Sequence, residues 1–210
     1  MCGIAGIISN KNKISINREK LFKIMHQRGP DAKGFHSVKD KNYELNFYHS
    51  RLSIIDNNKR SNQPFYYKNF VMIYNGEIYN FNEIRSELKK NKYKFFTSSD
   101  TEVIIKAFDK WGINCFKKFD GMWSIAIYDS KKGELILSRD IFGEKPLYLF
   151  KYLDTLIFGS EIKYIQFLDK SYKSKIINSE HIDTYLKNGY RFLNKKNKTY
   201  FKNIFKIDSG

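Results

Sequence analysis

This 210-residue chain is short of several things. It has two cysteines, Cys2 and Cys115. Two cannot build a disulfide framework, and no Cys-x-x-Cys pair or histidine cluster suggests a structural zinc. Three prolines and 12 glycines exclude collagen-like and linker-like chains. No segment approaches the roughly 18 consecutive apolar residues of a membrane span. The start, Met1-Cys2-Gly3-Ile4-Ala5-Gly6-Ile7-Ile8, turns polar at Ser9. It has no basic leader, and its apolar run is too short for a secretory signal. A lipoprotein cysteine would need a hydrophobic segment before it, and only Met1 precedes Cys2. The expectation is a cytoplasmic protein with reduced thiols and no membrane partner.

Acidic residues are also scarce, 22 Asp and Glu against 38 Lys and Arg, for a net charge of +16. With 18 Phe and 15 Tyr, such a chain could bind nucleic acid by phosphate neutralisation and stacking. The lysines, however, are scattered among Asn, Ile and Tyr along the whole chain. Net charge speaks to solubility and association rather than to fold, so nucleic acid is not the expected partner. A hydrophobic share of 41% supplies a core and excludes a disordered tail. The length suits one domain over residues 1–210.

Periodicity predicts a strand over Ile4 to Ile8, then a helix capped by Asn17 and ending at Gly29-Pro30. Strands are expected over Glu44 to Ile55 and over Asn69 to Tyr74, the second stopped by Asn75-Gly76. A helix runs from about Asn82 to Lys90. Ser99-Asp100-Thr101-Glu102 reads as a capping box opening a helix that ends at Gly112. Met122–Tyr128, Glu134–Ser138, Pro146–Phe150 and Thr155–Phe158 follow as strands. Ser160 caps a helix through Ile162, Ile165 and Leu168. From about Ser171 the pattern weakens. Hairpin-like strands with helices in separate places predict an α+β fold with mostly antiparallel pairing.

Removal of Met1 would give Cys2 both a thiol and a free α-amine. That amine titrates near ~8, so it can take the thiol proton as general base. Gly3, Ala5 and Gly6 would let the strand behind it lie close to other backbone. Asn75-Gly76 offers a side-chain N–H and a backbone N–H for a developing oxyanion, although the same dipeptide is a common hairpin turn. Arg51 suits a carboxylate, internal or bound, against the alternative of an edge-strand surface arginine. Glu77 and Asp100 could hold an ammonium, and Asp100 also suits a helix N-terminus. Cys115 is expected as buried packing.

These residues lie in stretches with a common likeness. Met1-Cys2-Gly3-Ile4-Ala5-Gly6, Arg28-Gly29-Pro30-Asp31, Arg51-Leu52-Ser53-Ile54-Ile55-Asp56, Asn75-Gly76-Glu77-Ile78-Tyr79-Asn80 and Ser99-Asp100-Thr101-Glu102 resemble, in order and spacing, the glutaminase domain of glutamine-hydrolysing asparagine synthetases. Phe119-Asp120-Gly121-Met122-Trp123, the run from Ser138 to Tyr148 and Phe158-Gly159-Ser160-Glu161-Ile162-Lys163 continue it. The resemblance covers residues 1 to about 165, and residues 170–210 form a looser extension. It implies an N-terminal-nucleophile hydrolase fold, a four-layer αββα sandwich with two mostly antiparallel sheets.

The same resemblance implies roles. Cys2 attacks the glutamine amide, Asn75 and Gly76 stabilise the oxyanion, and Arg51 takes the α-carboxylate. Glu77 and Asp100 hold the α-ammonium, while Leu52, Ile54 and Ile55 contribute backbone to the pocket wall. No Ser-Gly-Gly-x-Asp-Ser phosphate loop or Walker-type loop occurs in these residues. No cofactor or metal is therefore expected in this domain, ATP and Mg belonging to the missing synthetase domain. The implied partners are glutamine as substrate and a synthetase domain or separate synthetase subunit as ammonia acceptor, with a homodimer left open. The competing readings are a catalytically silent glutamine-sensing or docking module and, behind it, a nucleic-acid binder.

Overall fold

The structure, a computed structural model, describes residues 1–10, 14–189 and 197–210. Ten strands are described: β1 (Gly3–Ser9), β2 (Ala32–Lys39), β3 (Glu44–Arg51), β4 (Phe65–Tyr67), β5 (Phe70–Ile78), β6 (Gly121–Asp129), β7 (Glu134–Arg139), β8 (Tyr148–Tyr152), β9 (Thr155–Gly159) and β10 (Ile204–Lys206). The helices are α1 (Arg18–Met25), α2 (Phe81–Lys90), α3 (Asp100–Trp111), α4 (Ile162–Leu168) and α5 (Ser179–Asn188). One sheet has the order β10-β8-β9-β1-β3-β2 and the other β4-β5-β6-β7. The described pairings are all antiparallel.

The alternation of side chains along each strand builds the layers. In β1, Ile4 and Ile8 face one way, Ala5 and Ile7 the other. In β5, Val71 and Ile73 share one core with Ile4, Leu45 and Phe47, while Phe70, Met72 and Tyr74 share another with the helices α2 and α3. The first of these cores lies between the two sheets. A third cluster joins Ala5, Ile7 and Tyr48 to Leu21 and Met25 of α1 and to Tyr164, Ile165 and Leu168 of α4. Three apolar interfaces separate four layers, so the expected αββα sandwich is the observed architecture. Central strands covered on both faces need apolar residues on both, hence the unbroken run from Phe70 to Tyr74.

Several local expectations change. The strand expected over Glu44 to Ile55 ends at Arg51. Leu52 leaves the ladder and turns its backbone toward Cys2. Asn75-Gly76 does not stop a strand, because β5 continues to Ile78. Pairing with β6, which runs through Asn75 and Gly76 to Ile78, overrides the local turn preference. The capping box is half-formed. Ser99 accepts from Thr101 N–H, but Glu102 turns away to Phe96, Thr97 and Lys106. Ser160 does not cap α4. Its hydroxyl accepts from Ile4 N–H at 3.1 Å, and Glu161 holds the cap position.

Gly6 is required by a ring rather than by backbone, since a Cβ there would meet Phe158 Cζ at 2.3 Å. Cys115 is fully buried in the core beside α3, as expected. The strands β2, β4 and β10 and the helix α5 had no counterpart in the sequence reading. Part of the weakly patterned tail, residues 190–196, lies outside the described residues, yet Ile204 beyond it is fully buried and β10 extends the larger sheet. No helix among the described residues is long and apolar enough to cross a membrane.

Candidate active site

The register of the two sheets gathers the expected residues at one end of the sandwich. Gly3 pairs with Ser50, so Cys2 and Arg51 sit side by side where β1 begins and β3 ends. In the other sheet, Asn75 pairs with Ser124 and Gly76 with Trp123. A cavity of about 150 Å³ opens between them. Cys2, Arg51, Leu52, Ile54, Ile55, Asn75, Gly76, Glu77 and Asp100 all line it. Gln63, Tyr74, Met122 and Lys145 line it too, and the sequence reading gave them no role in the site. Gln63 and Tyr74 had a readable signal only in part, as polar ends of apolar runs. Lys145 had none among so many lysines.

Cys2 Sγ lies 3.4 Å from Leu52 N, which donates to it, and its S–H faces Leu52 O at 3.6 Å. Burial pushes the thiol pKa up, and the Leu52 N–H and the nearby Arg51 charge offset that only in part. A thiol held protonated at rest needs a base before it can attack. The α-amine of Met1, which precedes Cys2 here, is pushed the other way, first by burial and then by Arg28 and Lys145.

Asn75 is buried in β5, with its amide nitrogen 3.5 Å from Ser124 Oγ. Gly76 follows it because nothing larger fits. A Cβ would lie 2.1 Å from Met122 O of the neighbouring strand. Together they present a side-chain amide and an uncluttered backbone to the cavity.

Arg51 is buried and its four recorded partners are oxygens of the loop that follows. Nη1 donates to Asn58 O (3.1 Å) and Asn62 Oδ1 (2.7 Å), Nη2 to Ile55 O (3.3 Å) and Asp56 O (2.5 Å). None is a carboxylate, so no anion among these partners offsets the guanidinium as it staples the loop that carries Ile54 and Ile55. The Ile54 side chain itself is 70% exposed. Glu77 stands in β5 beside Gly76 and is half-buried.

Asp100 opens α3 and is 4% exposed. Its Oδ2 accepts from Tyr74 O–H (2.8 Å) and Ile78 N–H (3.3 Å), and Ser99 Oγ donates to Oδ1 at 3.3 Å. Burial raises its pKa despite these bonds. All three donors are neutral, and among the described residues no cation pairs with this carboxylate; a bound ammonium would supply one. Among the described residues no group of three or more His, Cys, Asp and Glu could hold a metal ion.

A family model for the glutamine amidotransferase domain matches residues 1–210. The chain belongs to this family. The amidotransferase chain is 35% identical to a putative glutamine-hydrolysing asparagine synthetase of Methanocaldococcus jannaschii, an alignment spanning 100% of this chain and 43% of that protein. It is 38% identical to asparagine synthetase 2 of Bacillus subtilis over 78% of this chain and 22% of the relative. Asparagine synthetase B of Escherichia coli is 36% identical over 71% of this chain and 27% of its own length. The amidotransferase chain thus spans less than half the length of these relatives. Among solved structures, the glutamine phosphoribosylpyrophosphate amidotransferase of B. subtilis superposes with a TM-score of 0.65 at 19% identity, covering 80% of this chain and 43% of that one. At that identity the likeness is one of fold.

Proposed function

We propose that this chain hydrolyses the side-chain amide of glutamine to glutamate and ammonia, with Cys2 as N-terminal nucleophile. The observation that carries the reading is the meeting of Cys2, Arg51, Asn75-Gly76 and Asp100, drawn from four elements, around one cavity. Each group then has a task that its chemistry suits. After removal of Met1, the Cys2 α-amine takes the thiol proton and Sγ attacks the amide carbon. Asn75 Nδ2 and the Gly76 N–H stabilise the oxyanion, and the ammonium proton passes to the departing nitrogen. Water then cleaves the glutamyl thioester. Arg51 takes the substrate α-carboxylate, Glu77 and Asp100 its α-ammonium, and Leu52, Ile54 and Ile55 the wall between.

The ammonia goes to a synthetase domain or subunit of the asparagine-synthetase kind, which the relatives' names support. Such a partner supplies the ATP chemistry, and this domain works without a cofactor. The whole of residues 1–210 acts as one amidotransferase domain. The test is glutamate release by protein whose N-terminus, checked by intact mass, is Cys2. Turnover is expected, and Cys2→Ala should reduce it to background. Glutamine binding without turnover, even with a synthetase present, would instead make the chain a silent sensing or docking module.

A further inference from the structure

Of the described tyrosines, Tyr74 alone lines the cavity. It is 3% exposed and stands in β5 two residues before Gly76. Its backbone is held where the neighbouring strand gives out. β4 begins at Phe65, opposite Met72, so it does not reach Tyr74. The side chain of Gln63 takes over there, its Oε1 accepting from Tyr74 N–H at 2.5 Å. Tyr74 and Gly76 point to the same face of the strand. A Cβ at Gly76 would lie 2.7 Å from Tyr74 Cε2, so the ring rests over the bare glycine. That path carries the hydroxyl to the start of α3, where it donates to Asp100 Oδ2 at 2.8 Å.

This bond divides the two oxygens of Asp100 between different tasks. Oδ2 is taken by Tyr74 O–H and Ile78 N–H. Among the described side chains, Oδ1 is met by Ser99 Oγ alone, at 3.3 Å. A carboxylate offers about four lone-pair sites over its two oxygens, so Oδ1 keeps room for a further donor. Burial and the Asp100 charge hold the Tyr74 phenol well above its ordinary pKa, so it stays protonated and can only donate to Asp100. A hydroxyl on a ring packed in the core is a fixed donor, and it restrains the carboxylate's rotation at little cost in entropy.

We propose that Tyr74 is a positioning residue that turns Asp100 Oδ1 toward the substrate's α-ammonium and so selects amides that carry a free α-amino group. This deepens the proposed glutaminase reading and rests on its assignment of Asp100 to the ammonium. Without the hydroxyl, Oδ2 keeps only the longer Ile78 N–H bond at 3.3 Å. The carboxylate is then free to turn, and its better-directed bond to an ammonium is lost.

The test is binding, which needs no turnover. Protein beginning at residue 2 and carrying Cys2→Ala is titrated with glutamine and with glutaramate, which is glutamine without its α-amino group. NMR titration reads both dissociation constants. Tyr74→Phe keeps the ring over Gly76. It should weaken glutamine binding roughly 5- to 20-fold and change glutaramate binding by less than about twofold. In an Asp100→Asn background Tyr74→Phe should add less than about twofold to the loss for glutamine. Unchanged glutamine binding in Tyr74→Phe overturns the proposal. So does an equal loss for both ligands, which would mark a packing defect, or a full loss added on top of Asp100→Asn. Ammonia release by protein with Cys2 intact is measured separately. No turnover with the expected binding pattern removes the glutaminase reading and keeps the role of Tyr74. Turnover with an indifferent Tyr74→Phe does the reverse.

Discussion

Gly76 shows how one residue can be both an architectural and a chemical requirement. Its missing Cβ lets β5 lie against Met122 O, and the same bareness leaves its backbone open to the cavity. Gly76→Ala would force β5 and β6 apart at the middle of the smaller sheet. We expect it to lower the thermal midpoint and reduce soluble yield, since overpacking against backbone costs about 1–3 kcal/mol. A folded, fully active Gly76→Ala protein, read by melting curve and glutamate release, would show that the strand has room. The sequence offered Asn75-Gly76 as either an oxyanion pair or a turn. Local preference could not separate the two, because strand β6 on the far side of the pairing decides the matter, and it lies more than forty positions away.

Among the elements, the entry into α3 matters most to the site. Asp100 is the first residue of that helix, and the segment before it is fixed by a buried ion pair one turn further on. Glu102 accepts from Phe96 N–H, Thr97 N–H and Thr97 O–H, and pairs with Lys106, which also donates to Lys94 O. The rings of Tyr67, Phe95 and Phe96 surround the Lys106 ammonium. Burial pushes the Glu102 pKa up, but Lys106 and the Thr97 and Phe96 donors outweigh it and hold the carboxyl below its ordinary value. Its stabilising contribution is therefore present above about pH 4.5 and lost as pH falls through the lower folded-state value.

Glu102→Ala strands a buried lysine and should cost about 3–5 kcal/mol, measured by urea unfolding at pH 7. A loss under 1 kcal/mol would mean that Lys106 finds other partners at no cost. The capping-box pattern correctly located the start of this helix. It misassigned Glu102, because a nearby lysine and a loop of free N–H groups compete better for the carboxylate than the helix's own first turn does.

At the scale of the molecule, the two sheets are joined across their interface by His49 of β3, whose Nε2 meets Tyr74 O of β5 at 3.1 Å. Burial holds this histidine's pKa down at about 3, against an ordinary 6.5. The folded form keeps the ring neutral while the unfolded chain protonates it below pH 6.5. Folding stability should therefore fall as pH drops from about 6.5 toward 3, by up to about 1.4 kcal/mol per pH unit from this group. Chemical unfolding at pH 7 and pH 5 tests it. His49→Gln should reduce the difference between the two, and an unchanged difference would assign acid sensitivity to other groups.

The sequence by itself determined the α+β class, most of the strands and helices, and the reactive groups named for the site. The unbroken apolar run from Phe70 to Tyr74 marks a strand covered on both faces, and the structure decides which residue faces which core. Cys2, Arg51, Asn75-Gly76, Glu77 and Asp100 stand in recognisable stretches whose order survives in the cavity. Tertiary structure alone decided how those groups are poised. Strand pairing carried β5 through an apparent turn, the loop after β3 took Arg51's hydrogen bonds, and Ser160 went to Ile4 instead of its own helix. It also separated two lysines from the rest. The +16 charge is spread along the chain and marks no site, but the fold buries Lys106 beside Glu102 and Lys145 beside Met1, 144 positions away in sequence. Charge and hydrogen-bonding type are written locally in a sequence, whereas desolvation and partnership depend on which distant residues the fold brings near.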